Sequence, residues 1–192
     1  MEGRDILQRL FVGGGQQYYG STAQRDADVI KALATELCRT HGDKLEIVTG
    51  GMPGIPDDFA AAWWAAGGRR VLCVVSSEHR IAWEERALPY QCMVVGQTQE
   101  QRRLAVTRLE GLVCAFFAQG GQYSTHEMQL LGDRGVPIVA FRGSGGAAAG
   151  EQPYKGWVYS STQSGDASDS TDPHTPAEDC AKAILCRLLS II

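Results

Sequence analysis

The residues best suited to chemistry in this sequence are three glycine-rich segments and one carboxylate. The segments are Gly13-Gly14-Gly15, Thr49-Gly50-Gly51-Met52-Pro53-Gly54 and Gly120-Gly121. Each follows a short apolar run and precedes a helical pattern. Glycine lets backbone amides approach phosphate oxygens closely, and the helix N-terminus behind such a turn supplies N–H donors and about half a positive charge. The richest stretch is Gln119-Gly120-Gly121-Gln122-Tyr123-Ser124-Thr125-His126-Glu127. Ser124 and Thr125 have hydroxyls that suit either a helix cap or a phosphate. Glu127 falls near the first turn of the helix, where the positive end favours a carboxylate. It has two readings: the partner of Ser124 in a capping box, or a carboxylate that stabilises an oxocarbenium-like transition state or forms a covalent sugar adduct.

The elements that must position these residues are legible as alternating runs. Apolar runs occur at Leu10–Val12, Leu45–Val48, Val71–Val75, Cys92–Val95, Leu112–Ala118, Pro137–Phe141 and Trp157–Tyr159. Several are continuously apolar, which suits parallel strands buried on both faces. Helical patterns lie between them. Ile30, Leu33, Ala34 and Leu37 recur at helical spacing before Gly42, and Phe59–Ala66 is rich in alanine and tryptophan. Thr98 with Gln101 spells a capping box opening a segment to Glu110, and another helix spans Ser124–Gly132. Thr175, Pro176 and Glu178 read as a cap, a proline at N1 and a box partner, ahead of a stripe of Ala181, Ile184, Leu185 and Leu188. Repeated β-α-β units predict one three-layer, Rossmann-like α/β domain over residues 1–192, with a parallel sheet flanked by helices on both faces. In such a sheet ligands bind beyond the carboxyl ends of the strands, where the three glycine segments fall. Ser144–Pro153 and Ser160–Pro173, rich in Gly, Ser, Ala and Asp, read as mobile surface loops.

Two nucleotide signatures fail. A dinucleotide fingerprint needs a third glycine where Tyr18 stands, and an acid where the second strand ends in Thr49. The stretch Gly15–Thr22 approaches a P-loop, but Ser21 takes the place of the phosphate-binding lysine. The 192 residues carry a net charge of -4, which argues against a nucleic-acid partner. No apolar run is long enough for a membrane span. The six cysteines form no C-x-x-C pair; Cys73, Cys92 and Cys114 sit in apolar runs and read as buried hydrophobes, pointing to a reducing, cytosolic setting.

At the glycine segments the sequence resembles the Lonely Guy family, often labelled "lysine decarboxylase", within the wider SLOG group of Rossmann-like nucleotide-binding domains. The family turn G-G-G-x-x-G is matched by Thr49–Gly54, with threonine for the first glycine. The family signature P-G-G-x-G-T-x-x-E is matched by Gln119–Glu127, with Gln119 for proline, Tyr123 for glycine and Ser124 for threonine. The M-H-x-R-K signature is not recognisable between Gly96 and Leu104. The likeness spans about residues 8–142. It implies a phosphoribohydrolase that cleaves the N-glycosidic bond of a cytokinin or purine nucleoside 5′-monophosphate to base and ribose 5-phosphate. It also implies a homodimer, and it calls for no cofactor and no metal. Glu127 maps onto the family glutamate. Counting back for the assisting arginine reaches Leu104, so Arg103 or Arg102 serves if the helix carries a small shift. Gly14, Gly50, Gly51, Gly54, Gly120, Gly121, Ser124 and Thr125 would cradle the nucleotide.

Two other functions fit the same residues: a non-catalytic nucleotide-binding or sensor module of this fold, and a nucleoside deoxyribosyltransferase-like enzyme. Lysine decarboxylation does not fit, because Lys31, Lys44, Lys155 and Lys182 all lie away from the glycine turns in sequence. Of Trp63 and Trp64, which point about 100° apart on a helix, one belongs to the core and the other suits a subunit interface. Asp57 and Asp58 complement a helix N-terminus. Arg69-Arg70 reads as a solvated element end, His126 as a surface residue beside the site, and His79 as part of a polar stretch.

Overall fold

The computed structural model describes residues 7–150, 158–159 and 174–192. Their order is β1 (Gln8–Gly14), α1 (Ala23–His41), β2 (Leu45–Thr49), α2 (Ile55–Ala65), β3 (Val71–Val75), a 3-10 turn (Ser77–His79), α3 (Arg80–Glu84) and β4 (Gln91–Val94). Then come α4 (Gln99–Val106), β5 (Leu112–Ala118), α5 (Gln122–Asp133), β6 (Ile138–Phe141), 3-10 turns at Arg142–Ser144 and Gly146–Ala149, β7 (Val158–Tyr159) and α6 (Ala177–Leu189). The strands pair in parallel throughout, in the order β4-β3-β2-β1-β5-β6-β7. This is the doubly wound arrangement, with its direction reversing between β1 and β5. The expected three-layer Rossmann-like α/β fold is what forms.

Alternation along the strands builds the two halves of the core. On one face Leu10, Val12, Cys114 and Phe116 meet Ile30, Leu33 and Leu37 of α1, Phe59 and Trp63 of α2, and Ile184 and Leu188 of α6. On the other, Phe11, Val48, Ala115 and Phe117 meet Val106 of α4 and Met128 and Leu131 of α5. Covering both faces removes the central strands from water, so their runs need no polar alternation.

The edge differs from expectation. The run Cys92–Val95 suggested a central strand, yet β4 lies at the sheet margin and Gln91, Cys92, Met93 and Val94 are all exposed. Cys92 is therefore exposed, whereas Cys73 and Cys114 are buried as expected. Apolar content reports burial only where a helix covers the strand. Trp63 is fully buried. Trp64 is half-buried, its ring 5.6 Å from that of Tyr90 and 4.9 Å from the Arg69 guanidinium, so neighbours of its own chain cover it.

Other boundaries shift. The α4 helix has the expected capping box between Thr98 and Gln101, but ends at Val106. The last helix starts at Ala177 with Pro176 at the cap position, one residue later than the cap read at Thr175. The segment expected as a mobile loop from Ser144 begins instead with packed turns: Ser144 and Ala148 are buried, and Ala147 and Ala148 donate backbone hydrogen bonds to Gly120 and Gln119. The rest of that loop, from 151, and the loop at 160–173 lie outside the described residues. Among the described residues no helix is long and apolar enough to cross a membrane.

Phe116 of β5 is fully buried, its ring 6.0 Å from that of Phe59 of α2, whereas Met93 lies on the open edge. Urea unfolding should show Phe116→Ala losing about 3–5 kcal/mol and Met93→Ala changing stability by about 0.5 kcal/mol or less. Equal losses would contradict the edge assignment of β4.

Candidate functional site

The strand reversal between β1 and β5 opens a crevice at their carboxyl ends, and a cavity of about 770 Å³ occupies it. Gly13, Gly14 and Gly15 from the end of β1, Gly50 from the turn after β2, and Gly120 and Gly121 from the turn after β5 line one side. Ser124 and Glu127 of α5 and Arg102 and Arg103 of α4 line another. Gly50 of the second motif and Gly120-Gly121 of the third thus share one cavity with Glu127.

Local chemistry explains how the glycine turns hold their shape. Gly120 has φ +91, and a Cβ there would lie 2.3 Å from Ser124 Oγ, so only glycine fits. Gln119 before it also has φ +51, unusual for a non-glycine residue, and is only 2% exposed. Its bonds hold that conformation. The side-chain carbonyl accepts from Tyr19 N–H at 3.1 Å, the side-chain amide donates to Asp26 at 3.4 Å, and the backbone N–H donates to Ser144 Oγ at 2.8 Å. The glutamine where the resembled family has proline therefore ties the third turn to the loop after β1.

The α5 helix begins at Gln122 with Gly121 as its N-cap, and no side chain caps it. Ser124 and Thr125 consequently lie inside the first turn. Ser124 Oγ donates to Gly14 O at 3.3 Å, linking the first and third turns, and Thr125 Oγ1 donates to Gly121 O at 3.4 Å. The capping-box reading of Ser124 with Glu127 does not form. The amides of Gln122, Tyr123 and Ser124 remain as first-turn donors. Thr125, Gly51 and Gly54 are not among the cavity-lining residues. Gly51 and Gly54 instead shape the second turn, which Arg86 pins by donating to Gly51 O at 2.9 Å while pairing with Asp57. Burial pushes the Asp57 carboxyl above its ordinary value, and Arg86 opposes that shift.

Glu127 points inward, its side chain 12% exposed. Arg102 Nη2 donates to Glu127 Oε1, and Arg103 Nε lies 4.0 Å from the same oxygen. The two arginine side chains are 7% and 9% exposed. Leu104, reached by counting from the motif, is exposed on another side of α4. Arg102 Nε donates to Gln99 Oε1 at 2.9 Å, and Arg103 Nη1 to Glu100 at 3.1 Å. Yet Arg102 Nη1 and Arg103 Nε, both buried, have no acceptor among the described residues. Buried charged donors without acceptors are costly, so such a pair suits an anionic ligand. A Cβ on Gly50 would lie 3.0 Å from Arg102 Nη1; this glycine admits the guanidinium. The Tyr123 ring, 63% exposed, is stacked 4.6 Å from the Arg103 guanidinium. His126 is half-buried, 3.5 Å from Glu100.

The remaining wall went unread in sequence. Glu78 and His79 come from the turn after β3, and Thr98, Gln99 and Glu100 from the start of α4. The signal was present, since His79 follows a strand's carboxyl end as the glycine turns do. Among the described residues no group of three or more His, Cys, Asp or Glu side chains is arranged to hold a metal ion.

Gly50→Ala should displace the Arg102 guanidinium from Glu127, while the melting temperature changes little. A crystal structure of the variant beside a thermal melt checks this; an Arg102–Glu127 contact left in place would show that position 50 tolerates a methyl group.

No protein-family model matches the chain, and no curated protein does. Among solved structures the chain is similar to TM1055, a Northeast Structural Genomics Consortium target, with a TM-score of 0.58 and 20% identity over 73% of this chain and 78% of that one. It is also similar to the single-stranded-DNA-binding DNA processing protein A from Helicobacter pylori, with a TM-score of 0.47 and 14% identity over 70% of this chain and 65% of that one. The second likeness is too slight to carry an argument. The likeness to TM1055 is one of fold, and it agrees with the strand order above: the chain is a Rossmann-like α/β domain.

Proposed function

We propose that this protein is a phosphoribohydrolase of the Lonely Guy type, acting on a purine or cytokinin nucleoside 5′-monophosphate. The observation that carries the reading is the buried pair of arginines. Each holds a donor without a protein acceptor, and both stand beside an inward-facing carboxylate in a cavity rimmed by glycine turns. The 5′-phosphate would lie on the first-turn amides of α5 and the Gly120-Gly121 turn, where backbone donors and helix dipole favour an anion. The ribose would then sit over Glu127. As the C1′–N bond breaks, its electron pair leaves with the base and positive charge grows on the sugar; the Glu127 carboxylate stabilises that charge, and water completes the hydrolysis. Arg102 orients the carboxylate, and its second nitrogen is free to hold a ribose or phosphate oxygen.

One observation favours a binding-only module instead. Tyr123 stands where the resembled family has glycine, and its ring covers the Arg103 guanidinium. Such a module would bind the nucleotide and leave it intact.

Incubation with AMP and N6-substituted purine monophosphates, followed by chromatography, separates the readings. Release of free base and ribose 5-phosphate is expected, with Glu127→Gln slowing it on the order of 10³-fold and Arg102→Ala on the order of 10²-fold. Binding without base release would favour the sensor module. Unchanged turnover in Glu127→Gln would remove the assigned role.

A further inference from the structure

The cavity wall contributed by the turn after β3 contains a histidine whose hydrogen bonds fix its tautomer. Arg102 Nε, which can only donate, bonds Gln99 Oε1 at 2.9 Å. That contact sets the orientation of the Gln99 amide, so its NH₂ faces His79 Nδ1 at 2.8 Å. An NH₂ group can only donate, so His79 Nδ1 is an acceptor and the ring proton resides on Nε2. The opposite arrangement would turn the Gln99 NH₂ against the Arg102 Nε–H. Two other groups approach Nδ1. Ser76 Oγ lies 3.1 Å from it and 3.5 Å from Glu78 Oε1, and its single proton can go to either. Glu78 Oε1 lies 3.4 Å from Nδ1, farther than the Gln99 NH₂, and accepts from the Gln99 backbone N–H at 2.9 Å. Among the described residues Nε2 has no hydrogen bond, and His79 lines the same cavity as Glu127.

We propose that His79 acts on the leaving group: its neutral imidazole donates an Nε2–H hydrogen bond to the base nitrogens of the nucleotide as the glycosidic bond breaks. This rests on the phosphoribohydrolase reading above. In hydrolysis the C1′–N bond breaks and its electron pair passes to the base, which becomes anionic. A donor placed at the developing anion lowers that barrier. The attacking water gives its hydroxyl to C1′ and its proton, by way of solvent, to the base. His79 begins and ends the step neutral. A chain of contacts then runs from sugar to base: Glu127 and Arg102 serve the ribose, Gln99 transmits the orientation, and His79 meets the leaving group.

The test compares two leaving groups. AMP expels adenine, a poor leaving group. The p-nitrophenyl glycoside of ribose 5-phosphate expels a stabilised phenolate that needs no donor. His79→Phe and His79→Ala should each lower kcat for AMP on the order of 10²-fold, while kcat for the aryl compound changes only a few-fold. The ratio between substrates serves as an internal control for folding, and either variant suffices. Equal losses on both substrates would mean that His79 only supports the wall, and an unchanged AMP rate would remove its role; either result overturns the proposal. Should the wild-type protein cleave only the aryl compound, His79 does not assist a purine, although the sugar-phosphate site stands. Should it cleave neither compound, the phosphoribohydrolase reading fails and this inference fails with it.

Discussion

The buried contact between Arg102 and Glu127 is the constraint around which the rest of the cavity is arranged. It requires α4 and α5 to meet at the carboxyl end of the sheet, and glycine at position 50 leaves room for the guanidinium against the turn after β2. Buried ion pairs are weak sources of stability, since well-packed apolar residues often do as well or better. A pair with further donors left unpaired is weaker still as a structural device. The arrangement makes physical sense as a charged surface prepared for a ligand, with strain and desolvation carried by the surrounding scaffold.

That scaffold is rigid where it must be. The first and third glycine turns are joined by Ser124 to Gly14, and Gln119 joins the third turn to the loop after β1. The second turn is held by Arg86. Three loops that could each move are cross-tied to one another or to neighbouring helices. The backbone amides therefore keep their direction without a ligand to organise them, which lowers the ordering cost of binding.

Much of this was legible in the sequence, for identifiable reasons. Continuous apolar runs between helical patterns require a parallel sheet with both faces covered, and glycine after such a run marks the functional end of that sheet. Glu127 was within reach as a carboxylate just after such a turn, whereas Arg102 and Arg103 were reached only through the resemblance to the Lonely Guy family. What could not be read depended on distant neighbours. Periodicity does not encode strand order, so the apolar segment at β4 looked central although it forms the edge. Counting back from the motif reached Leu104; since each residue turns a helix by about 100°, only the packed register shows that Arg102 faces the carboxylate. Ser144 looked like loop, yet its hydroxyl is needed by the Gln119 backbone N–H. The role of His79 depends on an amide that a residue from another element orients, a relation no local pattern contains.

The decisive measurement is a crystal structure of the Glu127→Gln protein grown with AMP. The phosphate should lie within hydrogen-bond distance of the amides of Gln122, Tyr123 and Ser124, with the ribose against residue 127 and Arg102. A nucleotide bound elsewhere, or a phosphate lying outside the crevice between β1 and β5, would contradict this placement.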